Sequence, residues 1–155
     1  MSLKVGTLLP SFDEATGWLE ENPPQLRDVS PVIVYFWAIS CPACKHNMPE
    51  LQKLRDKYTP LGVQFVAVHM PRGEKDLDVE KVKAVAEELG ITEPCAVDNA
   101  HALGDAFETG GVWPVYYLFD GNKRLKRRAP GQLGIKSISI ALNNLFEEPT
   151  PQLAS

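Results

Sequence analysis

The chain has no apolar run of the roughly 20 residues that a bilayer-spanning helix needs, and Met1 to Thr16 lacks the charged-then-apolar order of a secretion signal. A positive excess is missing as well: 16 Lys plus Arg stand against 20 Asp plus Glu, a formal net charge of -4. No global positive field is on offer to nucleic acid or to an anionic membrane, so neither is an expected partner. Cysteine is scarce. Cys41, Cys44 and Cys95 cannot build a disulfide framework without leaving one over, and 155 residues with 44% hydrophobic content bury a core without staples. Internal repeats and low-complexity segments are also missing. These absences leave one globular domain over 1–155, with its core at about 10–146 and a loose tail over 149–155. As the chain stands, the expected compartment is the cytoplasm; an extracytoplasmic one is the alternative if a signal or anchor was removed.

What is present alternates. Val32-Ile33-Val34-Tyr35-Phe36 is β-branched and aromatic throughout, as in a strand buried on both sides of a sheet, and it runs straight into the cysteines. Over 42–58 the apolar residues Met48, Leu51, Leu54 and Tyr58 recur at helical spacing, and Pro42 suits a first turn where its missing N–H costs nothing. Pro49 falls inside that helix and predicts a bend near Asn47. A second strand over 63–68, a polar link over 71–78 and a helix over 79–89 closed by Gly90 follow. Next come a short strand at 95–97 and a helical segment over 100–108 capped by Asp98 or Asn99. A hairpin pairs 115–119 with 123–128 around Asp120-Gly121-Asn122, and Ile138, Leu142 and Leu145 stripe a last helix. Early strand-helix units imply a parallel centre and the late hairpin an antiparallel edge, so the fold class is α/β with a mixed central sheet flanked by helices.

Cys41-Pro42-Ala43-Cys44 sits between that first strand and its helix. A cysteine at a helix N-terminus has its thiolate stabilised by unpaired N–H groups and the helix dipole, which makes Cys41 the nucleophile. Cys44, one turn along, is placed to attack the resulting mixed disulfide and is the resolving thiol. Paired cysteines also bind zinc. A structural zinc site needs four ligands, however, and beyond the pair there are only Cys95, His46, His69 and His101 with no second paired motif, so redox chemistry is favoured and no metal is assigned.

The segment from Phe36-Trp37-Ala38-Ile39-Ser40 through Cys44, followed by Met48-Pro49-Glu50-Leu51, resembles the active-site segment of the thioredoxin superfamily, and of its TlpA/ResA-type branch in particular. The resemblance extends from Pro10-Ser11-Phe12 through Gly62-Val63 to Trp113-Pro114 and Asp120-Gly121. It implies a thioredoxin fold with an added N-terminal segment, dithiol-disulfide exchange on protein or small disulfide substrates, a thioredoxin-like or membrane electron donor, and no bound cofactor. It further implies that Pro114 is the cis-proline facing the cysteines and that the Trp113 backbone pairs with an extended substrate. Trp37, Pro42, Ala43 and Asn47 are accessory. Two departures stand out: relatives carry a buried Asp where this chain has Tyr35, or a Glu where it has Asn47, so neither usual carboxylate is present beside the thiols.

Other features have a plain reading and a functional one. Cys95 is a small buried hydrophobe rather than a third redox thiol, and His46 an exposed helix residue rather than a cation tuning the thiolate. His69 and His101 read as structural or solvated. The basic run Lys123, Arg124, Lys126, Arg127 and Arg128 protects an edge strand rather than binding acidic partners. The 71–78 link is either a substrate-facing loop or an inert connection, and the sequence leaves both open. Disulfide reductase is the leading function. A thioredoxin-like binding or chaperone module and a thiol peroxidase are the alternatives, the last disfavoured by Ala38, where a peroxidatic motif has Thr.

Overall fold

Val32–Trp37 lies in the middle of a six-stranded sheet in the computed structural model, which describes residues 2–20 and 23–147. All six of its residues are buried, as the unbroken apolar run requires of a strand covered on both faces. The strands are β1 (Gly17–Trp18), β2 (Val32–Trp37), β3 (Gln64–His69), β4 (Cys95–Val97), β5 (Val115–Phe119) and β6 (Leu125–Pro130). Their order across the sheet is β1-β4-β3-β2-β5-β6. β2, β3 and β4 run parallel, and β1, β5 and β6 join antiparallel. The chain thus has the mixed thioredoxin-like α/β architecture. The tail expected over 149–155 falls outside the described residues.

Among the described residues there are four α-helices: α1 (Pro42–Tyr58), α2 (Val79–Glu88) and α3 (Ala102–Ala106) between strands, and α4 (Gly134–Glu147) after β6. α1 continues through Pro49 as one element. α1, α2 and α4 supply Leu51, Val82, Ala86, Ile138 and Leu142 to one face of the sheet; α3 and its flank supply Leu103 and Phe107 to the other. None of these helices is long and apolar enough to cross a membrane.

Two boundaries move for local reasons. α3 starts at Ala102 rather than residue 100, because His101 takes a left-handed conformation (φ 61) and Asp98 reaches forward to accept the N–H groups of Leu103 and Gly104 at 2.9 and 2.8 Å. β6 starts at Leu125 rather than 123, because Lys123 is itself in the turn, with φ 63. The N-terminal segment lines two edges of the sheet: Gly6 and Leu9 bond β6 and its turn, while Thr16 and Leu19 bond Val97 and Cys95. Four members of the basic run bond within the chain, while Arg124, Lys126 and Arg127 stay exposed. Lys123 donates to the carbonyls of Arg27 and Ser30, Arg124 to Gly6, Arg127 to Ser137 and Arg128 to Thr109.

Candidate active site

Beyond Trp37 the chain leaves the sheet through a turn closed by Cys41 N–H donating to the Ala38 carbonyl at 3.1 Å. Cys41 then adopts an extended conformation (φ -98, ψ 107) and is the N-cap of α1, with Pro42 opening the helix. Its Sγ accepts the Cys44 N–H at 3.1 Å and is bonded to Cys44 Sγ in a disulfide, the two Cα atoms 5.3 Å apart. Both cysteines are buried. A thiolate formed at Cys41 meets the first-turn N–H groups and the positive end of a helix 17 residues long. Ala43 packs against the core below.

The positions flanking the pair are filled by neutral groups held in hydrogen-bond networks. Asn47, one turn beyond Cys44, donates from Nδ2 to the Tyr116 hydroxyl at 3.0 Å and to the Gln132 carbonyl at 2.9 Å. Burial pushes the Tyr116 phenol up to about 12, against the easing effect of that Asn47 bond. Tyr35, on β2, donates to Glu93 Oε2 at 2.7 Å, and Glu93 is paired with Arg55 at 2.9 Å. Burial first, then the Glu93 charge, holds the Tyr35 phenol well above its ordinary value.

Trp37 is fully buried, with its indole edge-on to His69 at 4.9 Å between ring centres. His69 Nε2 accepts the Ile39 N–H at 3.1 Å, two residues before Cys41, which requires a neutral ring with its proton on Nδ1. Burial lowers the His69 pKa to about 4, Asp76 nearby opposing it. Cys95 is buried in β4. Burial raises its thiol to about 12, so it stays protonated and unreactive, although the neighbouring Trp37 N–H pulls the other way.

Trp113 and Pro114 are joined by a cis peptide bond just before β5. The Trp113 indole N–H donates to the Met70 carbonyl at 2.6 Å, and the Pro114 carbonyl accepts the Gly131 N–H at 2.7 Å. His101 is no free surface residue: its Nε2 bonds the Pro71 carbonyl at 2.7 Å and its ring packs edge-on to Trp113.

The 71–78 link lies against the cysteine turn. Asp76 Oδ2 accepts the Ser40 hydroxyl at 2.6 Å and the Arg72 N–H at 2.9 Å, while the Arg72 guanidinium donates to the Ser40 carbonyl. Sequence reasoning missed Ser40, Arg72 and Asp76 and underrated His69. Only His69 carried a signal: it ends a parallel strand, the edge at which open α/β sheets place their sites.

Known proteins resemble this chain in sequence and in fold. The chain is 40% identical over 148 residues to the thiol-disulfide oxidoreductase YkuV of Bacillus subtilis, covering 94% of this chain and 99% of that one. It is 27% identical over 146 residues to the thiol-disulfide oxidoreductase ResA of Oceanobacillus iheyensis, covering 92% and 73%. A thioredoxin-like protein solved in solution in its oxidized form superimposes with a TM-score of 0.85 at 39% identity, over 96% of this chain and all of that one. Residues 5–128 match the family model described as AhpC/TSA. On the strength of that match, of YkuV and of a helix-capping Cys41–Cys44 pair, the chain belongs to the AhpC/TSA family, as a TlpA/ResA-like thiol-disulfide oxidoreductase.

Proposed function

We propose that this chain reduces disulfides, with Cys41 as the attacking thiol and Cys44 as the resolving one. The observation that carries this reading is the place of Cys41 Sγ at the N-cap of α1, accepting the Cys44 N–H at 3.1 Å. The Cys41 thiolate attacks one sulfur of the substrate disulfide and expels the other as a thiolate, which takes a proton from solvent. Cys44 then loses its proton and attacks Cys41 Sγ, releasing the second substrate thiol and closing the Cys41–Cys44 bond. Two electrons have passed to the substrate. A thioredoxin-like or membrane donor returns them.

In this reading 1–155 is one domain, and Trp113 and Pro114 receive the substrate as an extended segment. Trp37, Pro42, Ala43 and Asn47 shape and support the pair. Substrates are protein or small disulfides, in keeping with the oxidoreductase names of the relatives. The setting is the cytoplasm, which suits a protein that keeps Cys95 as a free buried thiol; recovery in a membrane or exported fraction would remove that part.

The test is mixed-disulfide trapping. Cys44→Ser accumulates substrate covalently on Cys41, Cys41→Ser traps nothing, and both lose insulin-disulfide reduction. Equal trapping by the two variants overturns the division of roles. A redox titration fixes direction, and a strongly oxidising value reverses it.

A further inference from the structure

We infer that Asp76 is a positioning residue that supplies the buried carboxylate of this dithiol site, acting on Cys41 through Ser40 and making the pair less acidic and more reducing. The inference rests on the reading of Cys41 as the nucleophile. Asp76 is 1% exposed, although it sits in a polar connection between β3 and α2. The other fully buried carboxylate among the described residues, Asp98, is spent on the N–H groups of Leu103 and Gly104. Asp76 is instead turned to the cysteine turn: its Oδ2 takes the hydroxyl of Ser40, the residue before Cys41, at 2.6 Å.

A second, opposite charge meets the same residue. The guanidinium of Arg72 donates to the Ser40 carbonyl, so Ser40 is bracketed by an anion on its hydroxyl and a cation on its backbone. The two are not equivalent. Asp76 is shielded from water, so its field on a neighbouring thiolate is weakly screened, whereas Arg72 is exposed and surrounded by solvent. The carboxylate therefore dominates, opposes ionisation of Cys41 and weakens the stabilisation of the reduced state that its thiolate provides. The other charged or titratable groups around the turn are Lys45 and His46 on α1, His69 on β3, and Glu74 and Lys75 on the strap itself. His69 is kept neutral by burial, and Lys45, Glu74 and Lys75 are exposed.

Asp76→Asn isolates the charge, since the amide oxygen still accepts from Ser40 and Arg72. In the fully reduced protein, iodoacetamide labelling of Cys41 against pH is followed by peptide mapping. The variant's midpoint falls, and the rate at a fixed pH below the midpoint rises about three- to tenfold. In glutathione buffer, where protein disulfide and two glutathione thiols exchange with protein dithiol and glutathione disulfide, its dithiol fraction rises in the same direction. Arg72→Gln shifts both readouts the opposite way, and 1 M salt suppresses that shift more than the Asp76→Asn one. An unmoved labelling midpoint and glutathione equilibrium in a folded Asp76→Asn protein reduce Asp76 to a loop anchor and overturn the inference. If Asp76→Asn does not fold, Ser40→Ala, which removes the hydroxyl that Asp76 Oδ2 accepts, carries the test, and an unshifted midpoint overturns the inference. Labelling does not depend on turnover: a wild type that labels first at Cys41 but reduces no disulfide defeats the functional reading and not this one, whereas one that labels first at Cys44 or Cys95 overturns both.

Discussion

The two faces of the central sheet are equally buried and chemically unlike. Val34, Phe36, Val68, Tyr117 and Phe119 point to the α3 side, where Phe107 meets Phe36 and Tyr117 edge-on at 5.2 and 5.3 Å between ring centres. Tyr35, Trp37, His69, Cys95 and Tyr116 lie on the α1 side with Asn47, and hydroxyl, imidazole, thiol and amide groups sit there out of water. β2 feeds both faces by simple alternation along Val32–Trp37. Burial alone therefore does not find the site. A concentration of buried polar side chains beside the cysteines does, because each has a desolvation cost that an apolar residue would avoid.

The sharpest way to separate the faces is Phe107→Ala. It empties the aromatic side and lowers stability by about 3–5 kcal/mol in chemical denaturation, while disulfide-reductase activity per folded molecule stays that of the wild type. A parallel loss of activity would mean that the faces are coupled. His69 tests the polar face at smaller cost. Its folded pKa, about 4, lies below the ordinary 6.5, so the unfolded chain binds the extra proton. Stability is full above that ordinary value and declines as pH falls through the folded one, approaching about 1.4 kcal/mol per pH unit between the two. His69→Gln flattens this stretch of the stability-pH curve, and an equal slope in both proteins removes His69 as its source. Cys95→Ala has the smallest effect: about 1 kcal/mol by denaturation, with turnover unchanged. A clear fall in turnover would promote Cys95 to the site.

Most of the architecture could be read from residue patterns. The apolar run of β2, the 3.6-residue spacing in α1 and the turn at Asp120-Gly121-Asn122 are local signals, and the elements formed where those signals lay. Cys41 and Cys44 were legible for the same reason, because strand, cysteine pair and helix follow each other without a break. β1 was not legible: it is two residues long and exists through its pairing with β4. The start of α3 escaped because an Asp98 side chain, rather than a regular cap, sets it. Asp76 lay beyond reach as well, since its bond to Ser40 spans 36 positions and no periodicity marks a carboxylate that a distant turn will bury.

The placement of Cys95 makes the molecule a recorder of its own breathing. Its sulfur lies in β4, one strand in from the short β1 edge, and with the other two thiols tied up in a disulfide it is the single capture point for a thiol reagent. Mass added per molecule over time then counts the occasions on which β4 has come away from its neighbours. Capture that ignores denaturant reports peeling at the β1 end. Capture that accelerates with the full denaturant dependence of unfolding reports the whole sheet coming apart.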